Sequence, residues 1–245
     1  MKNYSINKII IYTVSIISIF VLFISLSFII NNEVIFPSII TVFNSFFSLI
    51  SKTKTYLIII YSISRLTFAL IVGFFLAFIL ALLAAKYKSI HIFLRPYFYI
   101  LRSIPFVAIL LIIMVLTSIN ETPVILTTLI IIPILYDSIY YGMTNIDQNL
   151  NNVWLLDTKI NYRVMSKILI PLSWPNIKVG LITAISTGIK LIIMAEFICG
   201  TPNSIGNSLI SAANNFDYAL VFAWTILIIF IVLLLNSLAK FLKRN

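Results

Sequence analysis

Six long apolar runs constrain the fold of this sequence more than any other feature. A helix needs about twenty mostly apolar residues to cross a bilayer. The six runs are residues 9–30, 56–85, 98–116, 124–141, 179–199 and 219–238. Because backbone polar groups in lipid must be satisfied within the segment itself, each run is predicted to be a helix. The sequence therefore predicts an all-α, polytopic membrane helical bundle with about six transmembrane helices.

Composition supports a membrane protein and narrows the possible chemistry. Hydrophobic residues make up 61% of the 245 positions and charged residues 10%, which is too few to cover a soluble surface. The single cysteine, Cys199, and the single histidine, His91, rule out an internal disulfide and a thiolate or multi-histidine metal site. His91 lies in a basic loop and is predicted to be solvated.

The basic residues predict the orientation of the chain. Of the 17 Lys and Arg residues, thirteen fall on one side, in loops or, for Arg102, near the start of the third run; two lie in the opposite loops, and Arg65 and Lys190 lie within or near spans. Loops rich in Lys and Arg stay on the cytoplasmic side. Both termini are therefore predicted to be cytoplasmic in a multi-pass protein of the plasma, or inner, membrane. The net charge of +10 is explained in this way without a nucleic acid partner.

A polar segment, residues 142–178, interrupts the apolar runs on the predicted cytoplasmic side. Its central part reads NLNNVWLLDTKINYRVMSKILIPLSWPNI. The pattern predicts two short amphipathic helices, the second of which ends at Pro171 because proline lacks an N–H and clashes with the preceding turn. Two interpretations fit: a helix pair on lipid headgroups, or a docking element for a cytoplasmic partner with Trp154 as its buried anchor.

The end of this segment resembles the coupling loop of binding-protein-dependent ABC importer permeases. That family's loop reads Glu-Ala-Ala, three residues, Gly, nine residues and Ile-x-Leu-Pro. Ile168, Ile170 and Pro171 occupy the closing positions. Thr158 stands at the glycine position, and Asn152, Val153 and Trp154 stand where the family has Glu-Ala-Ala.

Three other stretches resemble the same family, in the same order, over about residues 57–240. They are SISRLTFALIVGFFLA from residue 62, LRPYFYILRSIPFVAILL from residue 94, and the long closing stretch from residue 178 to residue 224 that contains AEFICGTPNSIG. These stretches are similar to those of importers of nitrate, sulfonate and taurine and of importers of thiamine or riboflavin precursors. The resemblance divides the chain into an N-terminal helix with an outer connector, 1–55, and a permease domain, 56–245.

This resemblance implies both a function and a set of partners. The chain would form the translocation pathway for a small nutrient, with anions among the candidates, and couple it to a separate cytoplasmic ABC ATPase. A solute-binding protein outside the membrane, a second permease copy or paralogue, and membrane lipid would be the other partners. The sequence has no G-x-x-x-x-G-K-[ST] phosphate loop. We therefore expect no cofactor and no enzyme activity on this chain, with ATP bound by the partner.

Three charged residues inside apolar runs are candidates for the pathway or its gate, since ionisable groups in a bilayer are costly. Arg65 and Glu196 are predicted at similar depth, where they could form an ion pair. Either a structural role or a gating role fits that pair. Lys190 lies midway along the fifth run, and its predicted role is in the pathway, in pairing with a partner, or in reaching the interface.

Two other classes of function remain as alternatives at this stage. An ion-driven secondary transporter or channel usually carries several membrane carboxylates and internal repeats, and neither is found here. A membrane enzyme acting on lipid needs paired carboxylates, a metal site or a nucleophile with its base. The scattered acidic residues and the single His and Cys make that class a poor fit.

Overall fold

A computed structural model describes residues 2–145 and 165–244, and within these ranges all regular structure is helical. The helices are α1 Lys2–Ile30, α2 Ile39–Ile50, α3 Thr53–Lys86, α4 Lys88–Ser103, α5 Phe106–Leu116, α6 Thr122–Thr144, a π-helical turn Met165–Leu169, α7 Ile170–Cys199, α8 Ile205–Asn214 and α9 Tyr218–Arg244. In these ranges five helices are long and apolar enough to span a membrane, or six if α4 and α5 form one bent span. The predicted all-α polytopic bundle is confirmed.

The chain forms two compact units. One unit contains Met1–Tyr56 and Ser208–Ile229, and the other contains Leu57–Asn207 and Phe230–Asn245. In the first unit, three phenylalanines make an aromatic cluster. The rings of Phe23 and Phe36 lie 4.7 Å apart, and the Phe222 ring meets both edge-on. Aromatic pairs of this kind add packing energy beyond the area they bury.

The core of the second unit is built where α3, α6 and α7 approach closely. Small residues recur every four positions on α3, and Ala69, Ala77 and Ala81 of that row are completely buried. On α7, a Cβ added at Gly180 would lie 2.5 Å from the Ser138 Cβ of α6. Small side chains at these positions allow the helix backbones to come near each other. Both rows of small residues therefore lie where helices pack against each other.

The predicted third span is broken. α4 and α5 meet at an angle of 100° around Ile104 and Pro105, so a single straight helix over 98–116 is wrong. Ile104 is extended, with ψ of 131°. The cause is local: a proline ring disfavours helical geometry in the residue before it. The result is one amphipathic helix, α4, followed by a short apolar one.

The prediction that Pro171 ends a helix is also wrong. Pro171 lies in the first turn of α7, and Pro175 lies inside that helix. Proline is tolerated in a first turn because the N–H it lacks would have no helical partner there. The Ser173 hydroxyl, completely buried, donates to the carbonyls of Leu169 and Ile170. Thus α7 starts well before residue 179, where the fifth run was predicted to begin.

Candidate functional site

The predicted Arg65–Glu196 pair is present and lies in the second unit. The Arg65 Nη1 of α3 is 3.2 Å from the Glu196 Oε1 of α7. Glu196 is completely buried, and the Arg65 side chain is 17% exposed. A buried charge is tolerated only with an opposite charge and hydrogen bonds around it.

Further donors complete the surroundings of the Glu196 carboxylate. The Ser62 hydroxyl donates to its Oε2 at 2.8 Å, and the Gly206 N–H reaches the same oxygen at 3.5 Å. The Ser62 oxygen also accepts from the Ile205 N–H at 3.0 Å. The carboxylate therefore joins α3 and α7 to the first residues of α8.

The turn after α7 brings these groups together. Gly200 ends α7 in the left-handed conformation, with φ of 63°, which reverses the chain direction. The Arg65 Nη2 then donates to the Pro202 carbonyl at 3.1 Å. The Thr201 hydroxyl donates to the Ile119 carbonyl at 3.0 Å, which attaches the turn to the segment between α5 and α6. We call Ser62, Arg65, Glu196, Pro202 and Gly206 the Glu196 network.

Lys190 does not belong to this network. It is exposed on α7, on the side that also carries the exposed residues Thr183 and Met194. Glu196 is six residues further along, or about 9 Å by helical rise, and lies on the buried side. Over residues 2–145 and 165–244, the two ion pairs are Arg65–Glu196 and Arg102–Asp137. Lys190 forms no ion pair with the described side chains, and the pathway and interface alternatives for it stay predictions.

Of the predicted coupling segment, the structure describes the closing part, from residue 165 onward. Asn152, Val153, Trp154 and Thr158 lie outside the described residues. Ile168 belongs to the π-helical turn, and Ile170 and Pro171 open α7.

The two ends of the segment converge on each other. A Cβ added at Gly142 of α6 would lie 2.8 Å from the Asn176 Cβ and 2.9 Å from the Ser173 Cβ of α7. Glycine is needed at such a close approach because it has no side chain. The polar segment therefore leaves from, and returns to, one tightly packed point.

Comparison with known proteins assigns the family. Residues 73–245 match the family described as the inner membrane component of binding-protein-dependent transport systems. The chain belongs to this family. No curated protein sequence matches the chain significantly. The permease is accordingly an integral membrane component of an ABC transporter and not an enzyme, and the ion-driven carrier alternative no longer fits.

A solved structure shows the same fold as the permease. It is a crystal structure of an amino acid ABC transporter with histidines, with a TM-score of 0.67 and 16% sequence identity. The match covers 81% of the permease and 97% of the other chain. At this identity the likeness concerns the arrangement of helices alone.

A second polar cluster in the permease was missed by sequence reasoning. Arg102 of α4 forms an ion pair with Asp137 of α6 and donates to the Pro133 carbonyl at 2.8 Å. Asp137 lies near the end of the predicted fourth run, 124–141. The available signal was the presence of one basic and one acidic group near the same predicted membrane surface.

His91 does not lie in a solvated loop, contrary to the prediction, because it belongs to α4 and is half-buried. Its Nδ1 lies 2.9 Å from the Tyr136 hydroxyl oxygen, and its ring stacks on Tyr140 with 4.0 Å between centroids. Tyr136 and Tyr140 are one helical turn apart on α6, so one histidine can meet both. This contact holds α4 against α6 at the predicted cytoplasmic end.

Proposed function

We propose that the permease forms the translocation pathway of an ABC importer and is driven by a separate cytoplasmic ATPase through residues 142–178. The observation that carries this proposal is the close approach of Gly142 to Ser173 and Asn176. Two ends fixed at one point make the intervening polar segment a single element. A force applied to it by a closing ATPase would reach α6 and α7 together.

The remaining parts of the proposal rest on the family, on the sequence resemblance and on the distribution of the basic residues. ATP is bound by the partner subunit, a solute-binding protein delivers the solute, and a second permease copy or paralogue completes the pathway in lipid. Both termini face the cytoplasm of a bacterial-type inner membrane. The solute is a small nutrient of the nitrate, sulfonate and taurine class or of the vitamin-precursor class.

The direct test is to purify the tagged permease from its native host in mild detergent and identify its partners by mass spectrometry. A stoichiometric ATPase supports the proposal, and a co-purifying binding protein then leads to the solute. A permease that comes out alone, even after crosslinking, contradicts it. In that case the polar segment is better explained as a helix pair on the lipid surface.

Replacing Trp154 with glutamate is expected to uncouple transport. A buried aromatic anchor contributes about 2 kcal/mol or more to an interface, so ATPase docking should weaken at least about 30-fold. Uptake into vesicles that contain the reconstituted complex measures the effect. Gln148→Glu adds the same charge on the predicted opposite face and should leave uptake near wild type. If Trp154→Glu is present in the membrane at the wild-type amount and still transports at the wild-type rate, the docking model is wrong.

Replacing Lys190 with methionine tests a role in the pathway. A charge-assisted hydrogen bond to an anionic solute contributes about 1.5–3 kcal/mol, so uptake at low solute concentration should fall about tenfold or more. Methionine keeps most of the stem length. The matched control is Lys86→Met, at the end of α3 and outside residues 142–178, where the ammonium lies 5.1 Å from the Tyr87 ring centroid. Equal uptake by the two variants would show that Lys190 does not contact the solute in the pathway.

A further inference from the structure

Helix α4 has an apolar surface that the protein core does not use. Several of its large side chains are more than half exposed: Ile92 63%, Phe93 62%, Tyr97 57%, Tyr99 74% and Ile100 56%. Ile90, Leu94 and Phe98, on the other side of the helix, pack partly buried against the core around Tyr136. The exposed residues form a broad arc, and we call it the α4 arc. An exposed apolar arc of this size marks an interaction surface.

Basic groups lie along one edge of the α4 arc. Lys88 and Arg95 are seven residues apart, so they project from the same side of the helix, and both are exposed. Neither forms an ion pair with any residue of the described ranges. Residues 34–120 contain no Asp or Glu at all. The nearest carboxylate placed on α6, Asp137, is already paired with Arg102.

A shallow groove runs along the same edge. It has a volume of about 370 Å³ and is lined by His91, Arg95 and Tyr99 together with Ile92, Pro96 and Ile100. The polar residues of the groove, His91, Arg95 and Tyr99, can each donate a hydrogen bond, and its apolar residues belong to or adjoin the α4 arc. A groove of this size suits a headgroup and the first carbons of an acyl chain, and it is too small for a protein helix of about 10 Å diameter.

The position of α4 relative to the membrane supports a lipid ligand. α3 is a membrane span that ends at Lys86, and α4 begins at Lys88. α4 reaches α6 through Tyr136 and Tyr140, within about 12 Å of the end of α6 at Thr144. It therefore lies at the level where a bilayer changes from acyl chains to headgroups. Exposed aromatic residues with basic neighbours are typical of that level.

We propose that α4 binds an anionic phospholipid, with the phosphate held by Lys88 and Arg95 and the acyl chains lying over Ile92, Phe93 and Ile100. Anionic headgroups attract basic residues next to a membrane surface. Two cations that form no ion pair among the described residues, beside an exposed apolar arc, match both parts of such a lipid. A second permease copy would leave those cations without a counter-charge unless it supplied a carboxylate.

The test measures lipid binding to the purified permease complex in neutral phosphatidylcholine nanodiscs. The probe is fluorescent phosphatidylglycerol, titrated into the wild type and into Lys88→Gln/Arg95→Gln. The double variant should bind the lipid about 30-fold more weakly. Each basic residue near the membrane surface contributes about 1 kcal/mol to binding, and about 1.4 kcal/mol corresponds to a tenfold change in affinity. Lys52→Gln/Lys54→Gln removes the same charge from two other exposed positions and should bind like wild type. Arg95→Lys keeps the charge and should bind nearly normally.

Two results would overturn the proposal. The first is a titration in which Lys88→Gln/Arg95→Gln binds the lipid as tightly as wild type, or in which Lys52→Gln/Lys54→Gln loses as much affinity as it does. An equal loss in the two double variants would mean that the lipid is attracted only by the general positive charge of the protein. The other comes from a photo-crosslinking amino acid at Tyr97. A lipid-mass adduct supports the proposal, whereas a covalent permease dimer or an adduct with another protein assigns the α4 arc to a protein partner.

Discussion

Replacing Arg65 with methionine is expected to destabilise the permease by about 3–5 kcal/mol, the usual cost of removing one partner from a buried ion pair. Glu196 is completely buried and would keep the Ser62 hydroxyl and a long contact with the Gly206 N–H. The Pro202 carbonyl would lose its bond from Arg65 as well. Thermal unfolding in detergent, with the folded fraction measured by size-exclusion chromatography after heating, reports the loss of stability. Uptake should fall with the amount of folded protein.

The double variant Arg65→Met/Glu196→Gln separates the two roles predicted for this pair. It removes both charges, so much of the stability should return. Uptake that returns with stability would assign the pair a structural role, and stability without uptake would assign it to the gate. Arg65→Lys is the milder control, because lysine keeps the charge but cannot reach Glu196 and Pro202 together as the planar guanidinium does. An Arg65→Met variant as stable as wild type would contradict the buried-pair geometry.

Replacing Gly206 with alanine should destabilise the permease by about 3 kcal/mol, at the upper end for overpacking. A Cβ there would lie 2.3 Å from the Phe197 backbone nitrogen and 2.6 Å from the Glu196 carbonyl carbon and Cβ. Two of these atoms are backbone, so no rotamer change relieves the clash. The start of α8 must move away from α7, and the contact of the Gly206 N–H with Glu196 is lost. The drop in thermal unfolding midpoint measures the effect.

Gly188→Ala is the matched control for this prediction. Its Cβ would meet the Leu66 Cδ1 at 3.0 Å, the far end of a side chain that can rotate. We expect less than half the loss seen for Gly206→Ala. Similar losses of stability in the two variants would show that the close approach of α8 to Glu196 is not the reason why position 206 requires glycine.

The Glu196 network and the convergence at Gly142 lie toward opposite ends of α7, near its C-terminus and its N-terminus. α7 also carries Lys190 on its exposed side between them. Under the proposed function, one helix would then connect the ATPase-facing segment, a candidate solute-contacting residue and the predicted outer turn. This arrangement makes α7 the element whose movement transport would depend on.

Local sequence rules predicted some of these elements well. Apolar run length identified the spans, because a bilayer selects length and hydropathy whatever the neighbours are. The four-residue spacing of Ala69, Ala77 and Ala81 predicted a packing surface, because helical periodicity alone places them on one side. The depth of Arg65 and Glu196 made their pairing foreseeable, because both positions could be counted along their helices.

Other features were decided by tertiary structure alone. Pro105 breaks a helix whereas Pro175 lies inside one, so a proline by itself does not decide where a helix ends. His91 stacks on Tyr140 because α4 folds back toward α6, which periodicity cannot show. Glu196 gains a close backbone contact at Gly206 because the turn at Gly200 returns the chain. The sequence by itself determined most of the helices that are long and apolar enough to span a membrane; only tertiary structure decided which polar groups meet, because such contacts join residues far apart in the chain.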